Sequence, residues 1–244
     1  MFLGGAGYVA AYAAKEWGFA PEWAILSGAI SATLLGAVTG LVAIRRQGIY
    51  FAMTTLALSQ MVYFIAVQKP QISGGEDGIQ GVPRGTLFGL IELSDQMNMY
   101  FVVLGIFIAT LLAVYRIIHS PFGDILKAIR ENEARAVSLG YDVDRYKMLV
   151  FVLSAAVAGI GGATKAIAFQ FATLSDVHWS RSGEVVLMVL VGGLGTVLGP
   201  VAGAFVISSL QYFFSGFGQW VTVIQGLVFI VCVLVFRRGW WAKW

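Results

Sequence analysis

VVLMVLVGGLGTVLGPVAGAFVISSLQYFFSGFGQWVTVIQGLVFIVCVLVF, residues 185–236, runs for 52 positions without an Asp, Glu, Lys, Arg or His. Water cannot solvate the backbone of such a stretch unless it folds into a core or leaves the aqueous phase. About 20 apolar residues in a helix span the hydrocarbon of a bilayer, so this block has room for two or three crossings. Working outward from it, residues 24–44, 48–67, 99–118 and 148–168 are also long and apolar, broken only by Arg116 and Lys165. The 244-residue chain is 58% hydrophobic and 12% charged, about half the charge of a soluble domain. Lipid admits only helices and closed barrels, and no ten-residue alternation of barrel strands is visible. The expected fold is therefore all-α: one polytopic transmembrane helical bundle over 1–244, with about seven crossings.

The composition excludes other chemistry. Two histidines and a lone Cys232 offer no metal-ligand spacing and no disulfide within the chain. No G-x-x-x-x-G-K-[ST] phosphate loop is present, and GGATK, residues 161–165, has neither the spacing nor the setting of one. No cofactor, metal, nucleic acid or catalytic residue is expected for this chain. The opening MFLGGAGYVAAYAA lacks a basic leader and does not read as a signal peptide; it reads as the tail of a helix or a short buried helix, counted as one of the seven crossings.

Lysine and arginine orient the chain. With Arg45 and Arg46 inside, the stretch 116–147 is inside and the polar loop 68–98 is outside. Crossings at about 183–197, 201–214 and 217–236 then carry the basic tail RRGWWAKW inside. That puts eleven Lys and Arg inside and four outside (Lys15, Lys69, Arg84, Arg181); two crossings would give eight against seven.

The inside loop 119–147, HSPFGDILKAIRENEARAVSLGYDVDRYK, holds ten of the chain's 29 charged residues, five acids and five bases. Ser120-Pro121 reads as an N-cap with proline at the first helical position. Ile125, Leu126, Ile129, Ala136 and Val137 form an apolar stripe, Gly140 stands as a C-cap, and Asp142 caps the next helix. The reading is one short amphipathic helix lying flat between two crossings. Its balanced charge gives no net attraction to anionic lipid and suits a groove on a protein partner better.

IRENEARAVSLGYDVDRYKMLVFVLSAAVAGIGGA (129–163) resembles the cytoplasmic coupling region of ABC importer permeases of the branched-chain amino-acid, LivM-type branch. RRQGIYFAMTTLALSQMVYF (45–64), SGGEDGIQGVP (73–83) and SGEVVLMVLVGGLGTVLGPVAGA (182–204) resemble further blocks of that family, in its order. The resemblance implies a non-enzymatic subunit of the bacterial inner membrane. It would pair with a homologous permease, receive solute from a periplasmic binding protein, and be driven by two ATP-binding subunits that use ATP and Mg. It also implies that one or two spans of the family precede the point where this sequence begins. Arg130, Glu133, Ala134, Arg135 and Gly140 are the expected ATPase-coupling residues, Arg130 and Glu133 by charge complementarity.

Other candidates concern the pathway or packing. Gly195, Gly199 and Gly203 recur every four residues, as in close helix contacts, with Pro200 as a kink or break. Glu184 pairs with Arg181 or Lys165, or sits at a pathway mouth. Thr54, Thr55, Ser59 and Gln60 bond between helices or line a route. The Ser73 to Gly78 loop is a turn or a contact for the binding protein. The competing reading is a secondary transporter of small organic solutes driven by an ion gradient, which needs an ionisable relay at membrane depth.

Overall fold

The computed structural model describes residues 1–244 except 46, 47, 70–72, 88, 90, 194, 195, 215, 217–222, 224, 225, 227–229 and 231–244. Gly195, Arg46, Cys232, most of the expected last crossing and the basic tail thus lie outside the described residues. The chain divides into two compact units, Met1–Trp179 and Ser180–Trp244.

The first unit begins with α1 (Phe2–Lys15), α2 (Pro21–Ala43) and α3 (Ile49–Gln68). The loop between α3 and the next long helix carries three short strands, β1 (Ile79–Gln80), β2 (Thr86–Leu87) and β3 (Ile91–Glu92). Then come α4 (Gln96–Ile118), α5 (Pro121–Glu131), α6 (Glu133–Ser138), α7 (Val143–Phe169) and β4 (Phe171–Ala172). In the second unit α8 (Trp179–Gly192, entered from the last residue of the first) is followed by α9 (Gly199–Phe214).

Among the described residues, α2, α3, α4 and α7 are long and apolar enough to cross a membrane. Three further expected crossings, α1, α8 and α9, have 14, 14 and 16 residues, short of the usual span.

The centre of the first unit is a three-helix contact between α1, α2 and α7, built from small residues. The buried positions of α2 include Ala24, Gly28, Ala32, Gly36, Gly40 and Ala43; those of α7 include Ala155, Gly159, Gly162 and Ala163. Spacing of three and four keeps each set on one helix face. A Cβ added to Gly28 would lie 2.8 Å from Ala163 Cβ, and one on Gly36 would lie 2.5 Å from Ala155 Cβ. A Cβ on Gly162 would run into the backbone oxygen of Leu3. Absent side chains are what let these backbones touch, and dispersion over that contact replaces the hydrophobic drive that lipid does not supply. This four-residue pattern on α2 and α7 escaped the sequence reading.

The loop between α3 and α4 is folded rather than loose. β1 pairs antiparallel with β4, Ile79 opposite Ala172, and β2 pairs with β3 in a hairpin. Ile79, Val82, Leu93 and Met99 join Ala11, Ala14, Ala24, Ala166 and Ile167 in one buried cluster. Arg84 donates to the Ala168 carbonyl at 2.8 Å and Lys15 to that of Gln80 at 3.0 Å. In the SGGEDG turn, Ser73 Oγ donates to the Ala66 carbonyl at 2.6 Å. Gly78 has φ +69°, and a Cβ there would strike the Ala172 oxygen, so the turn closes onto β4.

Candidate functional site

The charged segment between α4 and α7 is two helices, not the single one expected. The apolar stripe ran on across residue 132 because Ile129, Ala136 and Val137 keep helical spacing. Asn132 breaks it: at φ −156° and ψ 98° it ends α5, and its side-chain oxygen accepts from the Arg135 N–H at 3.0 Å to start α6. Asparagine competes with the backbone for hydrogen bonds, which favours it at such a cap.

The outer ends of the segment follow expectation. Ser120 Oγ accepts from the Gly123 N–H at 3.4 Å, with Pro121 in the first turn. Asp142 accepts from the Arg145 N–H at 3.3 Å and opens α7. Gly140 sits at φ +86°. Its N–H bonds the Val137 carbonyl at 2.9 Å, and the Tyr141 N–H bonds that of Ala136 at 3.2 Å. These two bonds form a Schellman closure, which needs a residue in the left-handed region.

The segment is anchored by a small core of Ile129, Ala136 and Val143, with Ile125 and Tyr146 packed on it. Phe122 stacks on Tyr146 with ring centres 5.6 Å apart. Lys147 Nζ donates to Glu133 Oε1 at 2.7 Å, tying the first turn of α6 to the first turns of α7. Glu133, one of the expected coupling residues, is thereby in contact with α7. Arg130, Ala134, Arg135 and Gly140 are all exposed. Beside them Val137 is 57% and Leu139 69% exposed, two apolar side chains the expected set did not include.

A cavity of about 610 Å³ opens next to this ion pair, lined by Ile44, Gly48, Phe51, Glu133, Lys147, Val150, Phe151 and Ser154. It lies where the end of α2 and the start of α3 face α6 and the start of α7. Phe51 and Phe151 meet edge to face with ring centres 6.1 Å apart.

The remaining candidates are local and structural in their contacts. Thr54 Oγ1 donates to the Tyr50 carbonyl at 2.7 Å and Thr55 Oγ1 to that of Ala52 at 2.9 Å, both inside α3. Ser59 is buried and Gln60 half-buried. Glu184 pairs with Arg181 at 2.7 Å. Lys165 pairs instead with Asp176, which is 5% exposed and also accepts from Thr173 Oγ1 at 3.3 Å. Asp176 was not singled out from sequence, although an acid near the far end of the Lys165 span was the available signal. Gly199 and Gly203 serve close packing: added Cβ atoms would meet the Gly192 oxygen at 2.6 Å and the Met188 oxygen closer still. Pro200 lies in the first turn of α9, where its missing N–H costs nothing, so it starts a helix rather than kinking one.

Comparison with known proteins identifies the family of the chain. A family model described as branched-chain amino acid transport system / permease component matches residues 1–236. The high-affinity branched-chain amino acid transport system permease protein LivM of Salmonella typhimurium is 26% identical over 236 residues, covering 88% of this chain and 55% of the relative. A probable LivM of Methanocaldococcus jannaschii is 29% identical, covering 74% and 52%. The ribose import permease protein RbsC of Bacillus subtilis is 24% identical, covering 68% and 51%. The chain spans about half the length of these relatives. No solved structure matches. With apolar helices packed through glycine and alanine and a family match over nearly its whole length, the chain belongs to the permease components of branched-chain amino acid transport systems.

Proposed function

We propose that this chain is a membrane permease subunit of an ATP-driven importer for branched-chain or other hydrophobic amino acids in a bacterial cytoplasmic membrane. It forms half of the pathway with a homologous permease. A periplasmic binding protein delivers solute to the side of loop 68–98, and cytoplasmic ATP-binding subunits grip α5 and α6. The observation that carries this reading is the outward face of α6 and its closing turn. Ala134, Val137, Leu139 and Tyr141 are exposed there, with Arg130 and Arg135 beside them, on a segment otherwise pinned by its own core and ion pair. A face of apolar side chains rimmed by charge is what a partner groove takes. Glu133 acts differently from Arg130 and Arg135: it fastens α6 to α7, so that displacement of the gripped segment reaches the span.

The ion-gradient alternative has less support. Asp176 and Glu184, the acids beside or within the later apolar helices, each face a base, as structural pairs do.

The test is affinity purification from native membranes of the wild type and of Val137→Asp and Leu139→Asp variants. The wild type is expected to bring down a subunit with a phosphate-loop sequence and to support ATP-dependent uptake. The variants are expected to reach the membrane in normal amount while losing that subunit and at least tenfold of the uptake. Normal uptake in both variants would refute the docking face.

A further inference from the structure

We propose that the cavity beside the Glu133–Lys147 ion pair binds a free amino acid with a large apolar side chain from the side on which α5 and α6 lie, and that occupancy loosens α6 from α7. The proposal rests on the permease reading above for its orientation, and adds a ligand site and a form of regulation to it.

The chemistry of the walls selects the ligand. One side is apolar and aromatic, with Ile44, Phe51, Val150 and Phe151; the other presents an acid and a base in direct contact. The volume, about 610 Å³, lies in the range of small-molecule sites, which combine apolar walls with a few placed polar groups. In an α-amino acid the ammonium and carboxylate flank a single carbon, and the side chain leaves from that same carbon. Such a molecule can present its ammonium to the Glu133 carboxylate and its carboxylate to the Lys147 ammonium while its side chain lies against Phe51, Val150 and Phe151. A fatty acid or an aliphatic amine satisfies only one of the two charges and leaves the other facing apolar carbon.

The exchange is favourable because the resident pair is only partly buried. Lys147 and Glu133 side chains are 26% and 38% exposed, so solvent screens their mutual attraction and the link is weak. An incoming zwitterion replaces one ion pair by two and buries apolar surface as well. The displaced contact is the polar tie between α6 and α7, which leaves only the small apolar contact of Ala136 with Val143 to hold them. Imported product would thus slacken the connection between the docking segment and the span, a brake that acts only when the cell is already supplied. A ligand shifts such an equilibrium only through its preference for one arrangement, and here that preference is the parting of Glu133 from Lys147.

Saturation-transfer NMR of the detergent-purified full chain with leucine tests this. Saturable transfer to leucine methyl protons is expected, at least tenfold weaker with glycine, with 4-methylpentanoate and with isopentylamine. Val150→Trp, which fills the cavity and leaves both charges, should abolish it; Leu112→Trp, on the exposed face of α4, should not. The Glu133→Gln/Lys147→Gln double variant should also lose it, while the reversed Glu133→Lys/Lys147→Glu variant keeps it. No saturable signal, or an equal signal in Val150→Trp, overturns the site. So does recovery of phosphatidylethanolamine, whose ammonium and phosphate could meet the same two side chains, as the bound species with no leucine binding. Absence of leucine binding in wild-type protein that still brings down its ATP-binding subunit refutes this site and leaves the docking reading intact; loss of that subunit with leucine binding retained does the reverse.

Discussion

At the scale of single residues, the segment between α4 and α7 is governed by three that fix its backbone: Asn132, Gly140 and Asp142. Gly140 matters most, because its φ of +86° is left-handed and an L-residue there costs roughly 1–2 kcal/mol. Nothing crowds its Cβ position, so Gly140→Ala probes the backbone alone. The expectation is normal abundance in the membrane, a several-fold loss of uptake, and partial rescue by Gly140→Asn, since asparagine tolerates this region; uptake of a labelled hydrophobic amino acid measures it. Gly140, Ser120 and Asp142 were legible in the sequence because caps are local and their residue types carry the signal. Asn132 was not. Helical spacing of apolar residues passes through it undisturbed, and asparagine is only a weak helix breaker by propensity. The Glu133–Lys147 pair was hidden for another reason: its partners are 14 positions apart, on two different helices, and only the fold brings them together.

At the scale of helices, the legible feature was length and apolarity, and the illegible one was which face meets which neighbour. Four-residue glycine spacing drew notice at residues 195–203, where long aliphatic neighbours make glycine stand out. The same spacing on α2, from Ala24 through Gly28, Ala32, Gly36 and Gly40, reads in hydropathy as a moderately apolar helix like any other. Yet this stripe is the contact surface with α1 and α7. Gly36→Leu is expected to force α2 and α7 apart, since overpacking a filled contact costs about 1–3 kcal/mol or more. The apparent melting temperature by fluorescence-detected size exclusion should fall by several degrees. Gly105→Leu in α4, where an added Cβ meets nothing within 4 Å, should leave it unchanged or slightly higher, because leucine is the better helix former. Equal effects at the two sites would show that small residues on α2 are incidental.

At the scale of the chain, α3 and α4 set the requirement for other molecules. Almost none of α3 and none of the apolar window of α4 is buried within the chain, and side chains such as Met53, Phe64, Phe101 and Leu112 are largely exposed. An apolar surface of that extent is not stable in water, so lipid or further apolar protein surface must cover it. The orientation drawn from Lys and Arg is equally open to measurement. With Cys232 replaced by serine, a cysteine at Tyr141 is expected to react with an impermeant maleimide only after the cells are opened. A cysteine at Glu92, in β3 of the outer loop, should react in intact cells. The reverse pattern would invert the whole assignment, including the side on which any ATP-binding subunit docks.

The backbone contact at Gly162 has one more consequence. The α-helix turns once every 3.6 residues, so adding a single residue to α7 between its Lys147 and Gly162 ends would rotate everything beyond it by about 100°. An insertion before Gly159 would set Ala158 in its place, its methyl driven against the Cβ of Ala32. Exposed positions of α7, such as Leu149 and Leu153, can drift, but the phase of the helix relative to α1 and α2 is locked like a key in a ward. Change in this protein can alter the exposed side chains of that helix; it cannot alter its count.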